Sequence, residues 1–201
     1  MRLRVKGASG RVLSLTHYPA GESQARHAHD HTQVSFLLAG QMQETIGARS
    51  HEVLTSRVCV KRLGVDHSDT WGPAGAVIAS IRLPSEDVEG EAPRECWTNV
   101  DAPSVTALLR LAFSAKDVDQ VIDDCLSLVP ETADKAPSAA PAWLRRARDA
   151  ALSEEPGSVA AIAREAGVDR VHLARMFRRV YGASVSIVRQ RARTSRAIAM
   201  I

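Results

Sequence analysis

Alternation of apolar and polar positions dominates the first 83 residues of the chain. Residues 12–17, 33–38, 41–46, 57–63 and 77–83 are short, rich in β-branched or aromatic side chains, and separated by Gly, Pro, Asp or Ser. That pattern predicts five strands. Ala39-Gly40 and Gly47-Ala48 sit where hairpins or bends are needed, so an antiparallel barrel or sandwich is expected. From Asp101 the spacing becomes helical: Val105, Leu108, Leu109 and Ala112 share one face, and Val118, Val121, Ile122 and Cys125 share another. Two antiparallel helices are expected there. Residues 131–140, with Pro137, read as a linker. Pro141 suits a helix N1 position, residues 142–152 read as a helix, and Pro156-Gly157 ends it. The fold class is therefore α+β, with strands first and helices after.

The last helices carry a more specific pattern. Ser158 is an N-cap candidate for a helix over 159–166, Gly167 suits its left-handed end, and Asp169 suits the cap of a helix over 170–180. Ala163 is small enough for a close crossing, while Ile162, Ala166, Val168, Leu173, Met176 and Phe177 supply an apolar interior. Together these features form a helix-turn-helix signature. On the second helix Arg170, Val171, Ala174, Arg175 and Arg178 fall on one outward stripe. Arg175 suits a guanine edge and the apolar positions a thymine methyl, whereas Arg170, Arg178 and Arg179 suit phosphate. His172 fits either a phosphate contact or local packing.

Charge sharpens this picture once it is divided along the chain. Residues 1–100 hold 11 basic and 11 acidic groups, residues 101–140 hold 3 and 7, and residues 141–201 hold 12 and 5. Every cation in the last segment is arginine, the side chain whose planar fork suits phosphate and base edges. Double-stranded DNA is a partner this footprint fits, although a solvated face or a segment paired with the acidic stretch before it would fit as well; the helix-turn-helix pattern selects DNA.

Residues 159–201, beginning "VAAIAREAGVDRVHLARMFRRVYG", resemble the first helix-turn-helix of AraC-type transcription regulators. The resemblance assigns base-reading positions to Val171, Ala174 and Arg175 and a backbone contact to Arg178. Asp169 stands where the family usually has Ser. Family members carry a second helix-turn-helix, and the sequence stops at Ile201 before one. Either it is truncated or the protein works with half the usual reading head, and with one recognition helix per chain weak DNA binding, strengthened by dimerisation, is expected.

Six of the seven histidines lie in the first 67 residues. His27, His29 and His31 alternate along one expected strand, so they and Gln33 are expected to face one side. Gly21-x5-His27-x-His29-x3-Gln33-x6-Gly40 resembles the first cupin motif, with Gln33 where the metal-binding Glu would stand. Arg62-x-Gly64-x2-His67 resembles the second, with Arg62 replacing its Pro and Trp71 its Asn. The resemblance implies a cupin-like barrel. His27, His29 and His67 suit a divalent transition metal such as zinc, iron, nickel or copper, and Gln33 is the poorer fourth ligand. The reading adopted gives the cup, with His27, His29, Gln33 and His67, to a small-molecule effector. His17 and His51 are read as surface or packing residues, and Trp71, Trp97 and Trp143 as core.

The expected organisation is a cupin-like sensor over 1–100, a helical coupling and dimerisation segment over 101–130, a linker over 131–140 and a DNA-binding unit over 141–201. The expected function is an effector-responsive, AraC-type regulator that is no enzyme and works as a homodimer in the cytoplasm. No apolar run approaches the roughly 18 residues of a spanning helix, and no apolar segment follows the basic N-terminus. Cys59, Cys96 and Cys125 form no CxxC pair and are expected as reduced thiols. The rival reading is a metal-dependent cupin enzyme, a dioxygenase or isomerase, which leaves the arginine stripe without a role.

Overall fold

The computed structural model describes residues 2–54, 57–84, 97–100, 102–112, 114, 117–130 and 140–200. Among the described residues eight strands come first: β1 Arg2–Lys6, β2 Val12–Tyr18, β3 Ser23–His27, β4 Thr32–Ile46, β5 Arg49–Leu54, β6 Arg57–Lys61, β7 His67–Leu83 and β8 Thr98–Asn99. Six helices follow among them: α1 Ala102–Ala112, α2 Val118–Leu126, α3 Ala142–Leu152, α4 Val159–Glu165, α5 Arg170–Tyr181 and α6 Val185–Ala199. The strands form one antiparallel sheet, ordered β1-β2-β7-β4-β6-β8, with β3 added to β7 and β5 to β4. Side chains from β1, β2, β3, β4, β6 and β7 line a single cavity, so the sheet wraps around it.

Two long strands replace what alternation predicts as separate pieces. Residues 33–38 and 41–46 belong to β4, and 77–83 are the second half of β7. Ala39-Gly40 is thus no hairpin. It is a bend inside β4, with register shifts on either side of it. Gly40 (φ +83°) lies against Gly75 (φ +64°), and a Cβ on Gly40 would come within 1.9 Å of the Gly75 carbonyl oxygen. Only glycine permits that backbone approach. Pro73 sits in the same unpaired stretch of β7, where its missing N–H breaks no ladder. Gly47-Ala48 does turn the chain, from β4 into β5.

β1 and β3 escape the sequence pattern because nearly all their residues are exposed, as edge strands allow. β5 is buried only at Val53 and Leu54. Residues 27–33 are not one strand. His27 closes β3, His29 and His31 lie in the connection, and Gln33 is the second residue of β4.

Inside the sheet, Leu37, Met42, Ile46, Val53, Cys59, Trp71, Ile78 and Trp97 pack together. A second cluster joins Leu13, Val34, Phe36, Ala79 and Ile81 to Val121, Ile122 and Cys125 of α2, with Val118 and Leu108 partly buried beside it. The apolar face of α2 is therefore buried against the sheet, while Leu111 of α1 is 56% exposed. The side chains of Val105, Leu109 and Ala112 and the segment 131–139 lie outside the described residues.

The last four helices enclose a third cluster, which includes Leu144, Leu152, Ile162, Leu173, Phe177 and Val188 together with Leu54 and Ala74 of the sheet. Pro141 takes the position just before α3 rather than the first helical one. This helical body rests on the sheet. Buried Arg148 pairs with Glu52 of β5, and buried Arg57 of β6 donates to the carbonyl oxygens of Trp97 (3.4 Å) and Val180 (3.2 Å). No helix among the described residues is long and apolar enough to cross a membrane.

Candidate functional site

The cavity inside the sheet has a volume of about 220 Å³ and a mostly polar lining. His27 and His67 face each other in register where β3 meets β7, with ring centroids 4.2 Å apart. His29 joins them at 5.0 Å from each. One nitrogen from each ring lies within 4.8 Å of the others. The connection from β3 to β4 thus brings together imidazoles that alternation alone does not. His31 is buried with its ring 5.0 Å from that of His29 and its Nδ1 2.6 Å from the Asp30 carboxylate, and it is not one of the three donors.

Backbone carbonyls orient two of the three rings. Nδ1 of His27 lies 2.9 Å from the Ala25 oxygen and Nδ1 of His67 lies 3.1 Å from the Val65 oxygen. A carbonyl only accepts, so each Nδ1 donates and the lone pair sits on Nε2. Burial and the neighbouring rings of His67, His27 and His31 push the His29 pKa down to about 4. Burial and the Lys61 ammonium lower that of His67. These two imidazoles are neutral at pH 7 and fit a divalent transition metal as donors. Gln33 fits less well: its amide nitrogen donates to Ser35 Oγ at 2.9 Å and it carries no charge.

Below the imidazoles lies a charged group that the sequence reading leaves out. Glu44 is fully buried, pairs with the Lys61 ammonium through Oε1, and accepts the Trp97 indole N–H through Oε2 at 2.5 Å. Asp69 stands directly opposite Glu44 in the β4–β7 register. Its Oδ2 is 3.9 Å from His67 Nε2, and its buried Oδ1 has no hydrogen-bond partner. Burial pushes the Asp69 pKa up to about 7; Lys61 works against this and Glu44 adds to it. Burial alone would lower the Lys61 pKa, but Glu44, Cys59 and Asp69 outweigh it and raise it. The overlooked signal is a charge on the inward face of an alternating strand: Met42-x-Glu44-x-Ile46 and His67-x-Asp69-x-Trp71.

The aromatic residues divide. Trp71 is core and stacks on Tyr18 with centroids 4.0 Å apart, whereas Trp97 adds a polar bond to its packing. His17 is buried in β2 and His51 half-buried in β5.

The arginine-bearing surface is built differently. Ser158 accepts from the Ala161 N–H, Gly167 takes φ +73°, and the Asp169 carboxylate accepts from the N–H groups of Val171 (2.9 Å) and His172 (2.8 Å). Those bonds, that from His172 first, hold Asp169 below the usual carboxylate range. Leu173 and Phe177 anchor α5 from within, and Gly182 ends it in the left-handed conformation. Arg170, Val171, Arg175, Arg178 and Arg179 are exposed, Val171 at 72%. Ala174 is half-buried. His172 is also half-buried, with its ring 5.5 Å from that of Trp143 and its Nδ1 3.4 Å from the Arg175 guanidinium.

No family model and no curated protein matches the chain. Solved structures that resemble it include KdgF from Halomonas sp., at 16% identity and TM-score 0.38 over 43% of this chain and 80% of that one. A cupin protein from Bacteroides fragilis shares 17% identity at TM-score 0.38, covering 45% of this chain and 81% of its own. The DMSP lyase DddQ from Ruegeria pomeroyi shares 16% identity at TM-score 0.39, over 45% of this chain and 53% of its own.

Proposed function

We propose that the protein is an AraC-type regulator of transcription in which the polar cup receives a small effector and α5 docks on double-stranded DNA. The observation that carries this reading is the division of α5. Leu173 and Phe177 are fully buried while Arg170, Val171, Arg175, Arg178 and Arg179 are exposed on the other side. A helix held rigidly from within, with guanidinium groups and an apolar side chain facing out, has the chemistry a major groove recognises. The Asp169 cap fixes the first turn of that helix, where base contacts are made.

Arg57 supports a link between cup and helix. Its guanidinium joins the Trp97 carbonyl to that of Val180 near the end of α5, and the Trp97 indole bonds Glu44 in the cup. An effector acts through this link only by binding one arrangement of cup and helix better than another. Selection of duplexes from a random pool tests the reading. Enrichment of a short common sequence is expected, and an unenriched pool after repeated rounds would contradict it.

The enzyme reading draws on one observation, the three imidazoles whose donor atoms lie within 4.8 Å of one another. It would be favoured by metal-dependent turnover of a small substrate that chelation abolishes.

A further inference from the structure

The cup holds a donor set that the histidine motif describes only in part. Three imidazoles around a divalent ion supply no negative charge, and a dication left uncompensated in a buried site is costly. The motif position for an anionic donor is Gln33, whose amide is neutral and bonded to Ser35. Glu44 is ionisable but occupied, with one oxygen on Lys61 and the other on Trp97. Asp69 remains. It is 5% exposed, lines the same cavity, lies opposite Glu44 in register, and keeps Oδ2 3.9 Å from His67 Nε2 while Oδ1 has no partner.

The geometry points to a site for one divalent transition-metal ion on His27, His29 and His67 whose compensating negative charge comes from Asp69 of β7 and not from Gln33 of β4. The carbonyl bonds from Nδ1 of His27 and His67 leave Nε2 as the donor atom, the orienting arrangement that metal-bound imidazoles use. Glu44 is held by Lys61 and Trp97, so Asp69, which lies against both Glu44 and His67, is the remaining carboxyl group beside the imidazoles that can face the ion. A buried carboxylate oxygen without a donor is otherwise unexplained in this interior. Nitrogen donors with a single carboxylate favour zinc, iron, cobalt or nickel over magnesium or calcium. The inference is independent of whether α5 binds DNA.

Cobalt(II) titration of the chelator-stripped full chain is the test, read by ligand-field absorption and by competition with a chromophoric chelator. One ion per chain is expected, and His67→Ala should abolish it. Asp69→Asn should weaken binding on the order of 10- to 100-fold. Gln33→Ala should leave affinity unchanged, and Asp69→Asn combined with Gln33→Glu should recover it. Circular dichroism checks that each variant folds. If Asp69→Asn does not fold, the Gln33→Ala result alone decides, because a loss there assigns the charge-bearing position to Gln33 and overturns the inference. Wild-type affinity in folded Asp69→Asn, or less than one cobalt per wild-type chain, would overturn it equally.

Discussion

The cup and the outer edge of α5 are both rich in polar side chains, yet they are opposite solutions to placing charge. In the cup, Glu44, Lys61, His67 and Asp69 are all buried to within a few per cent of complete. On α5, Arg170, Arg175, Arg178 and Arg179 stand in water and the burial is left to Leu173 and Phe177. A buried charge needs a partner, so Glu44 and Lys61 hold each other in the cup and breaking that pair is costly. An exposed arginine costs little to keep and becomes valuable only when a partner's phosphate or base arrives. The difference teaches that the cup's chemistry is tied to stability, whereas that of α5 is separable from it.

Substitution in the cup should give the largest effect. Glu44→Ala leaves the Lys61 ammonium buried without its partner and should cost about 3–5 kcal/mol in denaturant unfolding, the range for breaking one side of a buried pair. Phe177→Ala removes the fully buried anchor of α5 and should cost roughly 3–5 kcal/mol. These two losses come from charge and from packing respectively. Only the first should diminish when Lys61 is also changed to Met.

Acid sharpens the comparison within the cup, because His29 and Asp69 pull in opposite directions. His29 takes a proton near 6.5 when unfolded and only near about 4 when folded, so it removes stability as pH falls through that interval. Asp69 takes its proton near 3.8 when unfolded but near about 7 when folded, so it removes stability as pH rises through that interval. The two slopes oppose each other. Asp69→Asn should therefore steepen the loss of stability on acidification from pH 6.5 to 4, measured as urea midpoints. An unchanged profile would show that Asp69 does not titrate as its burial requires.

On α5 the expected changes appear in binding rather than in folding. Arg175→Ala should cost roughly 1–3 kcal/mol of discrimination at one base pair, while Arg178→Ala should weaken all duplexes alike and lower the salt slope by about one. Both variants should unfold like the parent chain. Equal effects of the two on a selected and a scrambled duplex would remove the distinction between reading and anchoring.

The same contrast explains how much of the molecule its sequence makes legible. Helix ends depend on neighbours in the chain, so Ser158, Gly167 and Asp169 are readable as caps, and the span of α3 follows from its periodicity. Cup residues depend on register between strands far apart in sequence. His27 meeting His67 and Glu44 meeting Asp69 are consequences of β3–β7 and β4–β7 pairing, which composition does not encode. The histidine spacing reveals three members of the site because they fall in a recognisable pattern. Glu44, Lys61 and Asp69 are scattered through three strands and signal themselves only as charges on inward faces. The bend at Gly40 and Gly75 is equally nonlocal, since each glycine is explained by the other.

Titration of the full chain against a fluorescently labelled duplex at modest ionic strength, followed by anisotropy, tests the central claim most directly. A saturable rise that weakens steeply with added salt is the expected result. A flat response at high protein concentration would contradict it, leaving the arginines of α5 as solvated surface and the cup as the site requiring a function.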